Sequence, residues 1–89
     1  MLRFNRSAIE DKIEMAARYM GIEGGFDGFH DFVGMMNRTL GIPENLTALG
    51  VHDPDIDSLV ASALADPSVG GNPVEITAEN TRALLESCL

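Results

Sequence analysis

Three aspartates, two histidines, one cysteine and one glycine pair are the residues whose types and spacing could carry chemistry. Asp53, Asp55 and Asp57 alternate as D-x-D-x-D, the opening of a calcium-binding loop. Such a loop needs glycine at its sixth position for the sharp turn and a bidentate glutamate at its twelfth. Those positions hold Ser58 and Leu64, and Pro54 favours the start of a helix, so this spacing points to helix capping. His30 and His52 are far apart and form no H-x-x-x-H pair, so neither reads as half of a metal site. His30 flanks an apolar run and is expected to be partly buried; His52 precedes a helix start and is expected at the surface. Cys88 has no cation near it in sequence to lower its pKa and reads as a packed thiol. Gly70-Gly71 lacks G-x-G-x-x-G spacing and follows no strand, so it is no dinucleotide fingerprint. From spacing alone, no catalytic, cofactor-binding or metal-binding residue is assigned.

The elements that would position these residues read as helices separated by glycine and proline, with no strand signal. Ser7 and Glu10 form the S-x-x-E pattern of a capping box, which predicts a helix over 5–20 that places Ile9, Ile13, Ala16, Ala17 and Met20 on one face and stops at Gly21. A second helix is predicted over 26–40, with Phe26, Phe29, Val33, Met36 and Leu40 along one narrow seam and Gly41 as its stop. Pro43 to Leu49 reads as a short helix closed by Gly50. Asp53-Pro54 repeats the start signal for a helix that buries Ile56, Leu59, Val60, Ala63 and Leu64. Residues 67–73 read as a loop. A last helix from Thr77 places Leu84, Leu85 and Cys88 on one side. The expected fold is all-α, an irregular bundle of four to five short helices in a single domain over residues 1–89. None of these helices is long enough to hold itself, so each depends on packing against a neighbour.

Composition sets the class. With 89 residues and 45% hydrophobic side chains the chain is globular but small, and its stability margin is thin. A net charge of −8 makes nucleic acid and anionic membranes poor partners. One cysteine rules out an internal disulfide and suits a reducing compartment, and no signal-peptide pattern opens the chain, so a soluble cytoplasmic protein is expected.

An ordered set of short motifs adds a family. Leu40-Gly41-Ile42-Pro43, then Ala48-Leu49-Gly50-Val51, then Asp53-Pro54-Asp55-Ile56 resembles the iron-containing alcohol dehydrogenase family. Ala63-Leu64-Ala65-Asp66, Gly70-Gly71-Asn72-Pro73 and the helix from Thr77 are similar to that family's C-terminal end. Leu2-Arg3-Phe4-Asn5 is similar to the segment after its last metal-binding histidine. The resemblance implies the C-terminal helical portion of the dehydroquinate synthase-like fold, from a parent with an N-terminal α/β domain for NAD or NADP. It implies that the parent holds a divalent iron or zinc, which polarises the substrate oxygen during hydride transfer between alcohol and aldehyde. It further implies that the metal ligands, one Asp and three His, and the phosphate-binding glycines all lie upstream of this chain; His30 and His52 match none of them. Ser68 and Val69, just before the G-G-N-P motif, would border the substrate cleft, with Ser68 at a position that is Cys in some relatives. Met1 falls where the family often has a hydrophobic residue in mid-chain, which fits a start inside a longer gene.

The expectation is therefore a C-terminal piece of a dehydrogenase, inactive alone, without metal or cofactor of its own. Its partner would be the remainder of the enzyme, and exposed apolar faces would favour self-association. Two rivals are a stand-alone acidic helical interaction module and an independent metal-binding helical domain.

Overall fold

In the computed structural model, which describes residues 1–89, the chain is all-helical: four α-helices, one 3-10 segment and no strand. They are α1 (Leu2–Met20), α2 (Gly25–Thr39), α3 (Ile56–Ala65), the 3-10 segment Pro67–Gly71 and α4 (Ala78–Ser87). The chain divides into two compact units, Met1–Ile42 and Pro43–Leu89.

In the first unit α1 packs on α2. Ala17 is fully buried, and Phe26 is the largest side chain wholly removed from solvent. Burying that ring is worth about 1.5–3 kcal/mol. Arg6 lies over the Phe26 ring, 4.6 Å from its centre. Its guanidinium donates to Glu10 one turn on at 2.8 Å and to Asp27 of α2 at 3.0 Å. Bonds to Glu10 first and Asp27 second hold the Arg6 pKa above its ordinary value. The predicted capping box at Ser7 is not formed. α1 already begins at Leu2 with no side-chain cap, and Ser7 sits exposed in mid-helix. Nothing between Leu2 and Arg6 breaks a helix, and the Asn5 amide donates to the Met1 carbonyl at 3.0 Å.

Both helices stop as expected. Gly21 is left-handed, with φ 73°, and the Ile22 amide reaches back to the Ala17 carbonyl at 2.8 Å. Gly41 repeats the arrangement, with the Ile42 amide on the Asn37 carbonyl at 2.9 Å. The seam of α2 is graded: Phe26 is buried and Phe29 and Val33 half-buried, while Met36 and Leu40 face solvent.

In the second unit α3 packs on α4 through buried Val60 and Thr81. Thr81 was no part of the predicted face, and Leu59 and Leu64, predicted inside, keep about two-fifths of their surface exposed. The predicted helix at Pro43–Leu49 is absent, and residues 46–50 form a run of turns. The Asn45 carboxamide accepts the Ala48 amide at 2.8 Å, offering the backbone an alternative to a helix. The chain end claims the rest: the Leu46 amide donates to the Cys88 carbonyl and the Thr47 hydroxyl to the Leu89 carbonyl, both at 2.7 Å. Cys88, predicted packed, follows the last residue of α4 as an exposed free thiol.

The cap of α3 is Asp55, whose carboxylate accepts the Ser58 amide at 3.1 Å; Asp53, the predicted cap, adopts a left-handed φ of 50° ahead of it. Thr77 caps α4 as expected, and Asn80 closes the box in return. No helix is long and apolar enough to cross a membrane.

Candidate functional site

The segment singled out by the motifs, Ser68 and Val69, lies in the 3-10 segment that α3 runs into. Asp66 leaves helical geometry and becomes the cap of this next turn. Its carboxylate accepts the Ser68 amide at 2.8 Å and, through a short contact, the Ser68 hydroxyl. Bonds from the Ser68 hydroxyl first and its amide second hold the Asp66 carboxyl below the usual carboxylate range. The turn closes when the Val69 amide meets the Asp66 carbonyl at 3.2 Å and the Asn72 amide meets the Val69 carbonyl at 3.3 Å. Asn72 then fixes the exit through a 2.7 Å bond to the Val74 carbonyl. Residues 67–73 are thus a hydrogen-bonded turn where the sequence reads as loop, because Asp66 supplies a cap that Pro67 can follow.

Ser68 is exposed and Val69 half-buried, and a Cβ placed on Gly70 or Gly71 would meet nothing. The surface beside the pair is therefore open. The Ser68 proton is committed to Asp66 and no histidine completes a relay, so the pair is not an activated nucleophile. What the arrangement offers is a rigid turn with a hydroxyl able to accept a hydrogen bond beside an apolar side chain.

The other candidates stay apart. His30 is half-buried, with Nδ1 lacking a hydrogen-bond partner and 3.8 Å from the Asp31 carboxylate, while His52 is exposed in the other unit. Of the three aspartates, Asp55 caps α3, Asp57 pairs with Arg82 of α4, and Asp53 lies outside the helix. Bonds from the Ser58 hydroxyl and amide lower the Asp55 pKa. Two residues with clear roles escaped the sequence reading. Arg6 joins α1 to α2, and its i,i+4 spacing to Glu10 was the available signal. Thr81 has a buried hydroxyl without a partner, and no pattern marks it.

With this geometry in view, the whole chain, residues 1–89, matches the family described as Fe-containing alcohol dehydrogenase, C-terminal. The chain belongs to the Fe-containing alcohol dehydrogenase family. It is 34% identical over 87 residues to lactaldehyde reductase of Escherichia coli K12, covering 90% of this chain and 23% of the reductase. It is 35% identical over 85 residues to maleylacetate reductase of Rhizobium sp. strain MTP-10005, covering 96% of this chain and 22% of that protein. It is 32% identical over 96 residues to 4-hydroxybutyrate dehydrogenase of Cupriavidus necator, covering all of this chain and 24% of that enzyme. The chain thus spans less than a quarter of the length of these curated relatives. No solved structure matches it.

The family name implies iron, and the chain by itself does not bring a full ligand set together. Holding a transition metal takes several converging imidazole or carboxylate groups. No three His, Cys, Asp or Glu side chains come together in that way.

Proposed function

We propose that residues 1–89 act as one partial helical domain of an iron-type alcohol dehydrogenase. The complete form would transfer a hydride between NAD or NADP and an alcohol or aldehyde. The observation that carries this reading is the match along the whole chain, set against 22–24% coverage of the relatives. Those relatives are named for reduction or dehydrogenation. In this reading the ligands for iron or zinc and the nucleotide-binding domain belong to the rest of the polypeptide, which is the partner of this chain. The 89 residues alone bind neither iron nor nicotinamide and turn over no alcohol. A cytoplasmic location belongs to the same reading, since a lone exposed Cys88 suits a reducing compartment.

Two measurements test it. An antibody against this segment should detect, in source cells, a polypeptide several times heavier than 9.6 kDa. The purified 89-residue chain should show no dehydrogenase turnover and no retention of iron or NAD(H) after gel filtration; any of these would overturn the reading. A native band at 9.6 kDa would instead select a stand-alone interaction module, the reading that the exposed Met15 and Tyr19 of α1 favour.

Ser68 and Val69 border the substrate side of the cleft in the complete enzyme. Replacing Ser68 by Ala there should change kcat/KM at least about threefold, by an amount that differs between substrates. Equal kinetics across substrates would remove the pair from the site.

A further inference from the structure

The Ser68 hydroxyl has a single proton to give, and it gives it to Asp66; the Ser68 amide donates to the same carboxylate oxygen. What the hydroxyl keeps for a ligand is its lone pairs, so it meets that ligand as an acceptor. Asp66 itself is exposed, and the two bonds from Ser68 hold its carboxyl below the usual range, so it stays ionised at neutral pH. Its own unit does not offset that charge. Arg82 is the only lysine or arginine from Pro43 to Leu89, and it pairs with Asp57. Beside the acceptor stands the half-buried Val69, followed by Gly70 and Gly71, at either of which a Cβ would meet no atom within 4 Å. The turn thus combines an acceptor, a negative field and open space next to an apolar side chain.

A carboxylate or phosphate on a ligand would find no proton at Ser68 and a like charge at Asp66. A ligand hydroxyl would donate to Ser68 and meet no repulsion. An ammonium would donate too, but it would give up hydration beside Val69. We infer that Asp66 is a positioning residue that fixes Ser68 as an acceptor, so that the site takes uncharged primary alcohols bearing a second hydroxyl and rejects anionic ones. The inference deepens the proposed function and rests on it, since the turn borders a substrate cleft only in the complete enzyme. Asp66 touches no substrate; it acts through the Ser68 proton and through its charge.

The test uses the complete dehydrogenase that carries residues 1–89 and two matched sets of primary alcohols whose far end is methyl, hydroxymethyl or carboxylate. They are ethanol, ethylene glycol and glycolate, then butanol, terminal butanediol and terminal hydroxybutyrate. In the unaltered enzyme kcat/KM for the diol should exceed that for the hydroxy acid at least about tenfold in one set or both. Ser68→Ala should lower the ratio of diol to simple alcohol about three- to tenfold, the worth of one neutral hydrogen bond, and Ser68→Thr should restore it. Asp66→Asn keeps a side chain able to cap the turn, so the melting temperature should stay within about 2 °C. In that variant the hydroxy acid should gain on the simple alcohol at least about threefold, because the charge is gone. An Asp66 that only holds the fold would lower every rate together and leave the ratios alone. That outcome, or a preference of the unaltered enzyme for the hydroxy acids, overturns the inference and leaves the family reading standing. Oxidation of none of these alcohols with either NAD or NADP overturns the family reading and the inference with it.

Discussion

At Gly28 the backbone leaves no room for a side chain. A Cβ there would stand 1.8 Å from the Glu23 carbonyl oxygen and 2.8 Å from its carbon. Backbone cannot swing aside as a flexible side chain can, so Gly28→Ala must push the Glu23–Gly24 entry away from α2. The expected loss is more than about 2 kcal/mol, read as a fall in urea midpoint at unchanged slope. Asp55 gives a prediction of another kind. Its folded pKa is depressed, so the stability it contributes is complete above the unfolded value and fades as pH falls through the folded one. That window lies below about pH 4. Ser58→Ala removes the larger cause, the hydroxyl bond, and leaves the amide bond. Carboxyl-carbon NMR should therefore show the Asp55 pKa rising towards the usual range without reaching it. An unchanged titration curve would contradict the assignment of Ser58 as the cause.

The capping box at Thr77 and Asn80 satisfies donors at the start of α4 in both directions, with the Thr77 amide on Asn80 at 2.8 Å and the Asn80 amide on Thr77 at 3.2 Å. Thr77→Ala should cost about 1 kcal/mol, or about 4–8 °C in melting temperature for a domain of this size. How far such elements can be read from sequence depends on whether the signal is local. Thr77, Gly21 and Gly41 act through their own backbone and immediate neighbours, and all three were legible. Ser7-x-x-Glu10 carries the same kind of pattern but is overruled, because Leu2 to Arg6 are equally content in a helix and Arg6 occupies Glu10. Pro43–Leu49 could not be read, since its Leu46 amide and Thr47 hydroxyl are taken by the Cys88 and Leu89 carbonyls from the far end of the unit. The exposure of Leu59, Leu64, Met36 and Leu40 was equally out of reach, because apolar periodicity shows which side chains suit burial without showing how much surface the neighbours supply. At the Ser68 turn the motif placed the pair, while its rigidity comes from Asp66, whose bonds to Ser68 no spacing rule announces.

Across the whole molecule, charge is divided as unevenly as apolar surface. Residues 1–42 hold five basic and six acidic side chains, and residues 43–89 hold one and eight. Excess like charge works against compaction and is screened by salt. Amide exchange of the second unit should therefore slow more than that of the first when ionic strength rises from about 10 mM to about 500 mM. Equal responses would mean that the local pairing of Asp57 with Arg82 already neutralises the field.

The bonds from Leu46 and Thr47 to Cys88 and Leu89 also set an order of events during synthesis. Thr47 and Leu89 are 42 residues apart, so the bonds that tie the turn after Pro43 to the end of α4 cannot form until Leu89 has left the ribosome. The α1–α2 hairpin has no such dependence: Phe26, Ala17 and Arg6 are all available once α2 has emerged. The first unit can close on contacts near in sequence, while the second waits for residues 88 and 89 to reach the Leu46–Thr47 turn.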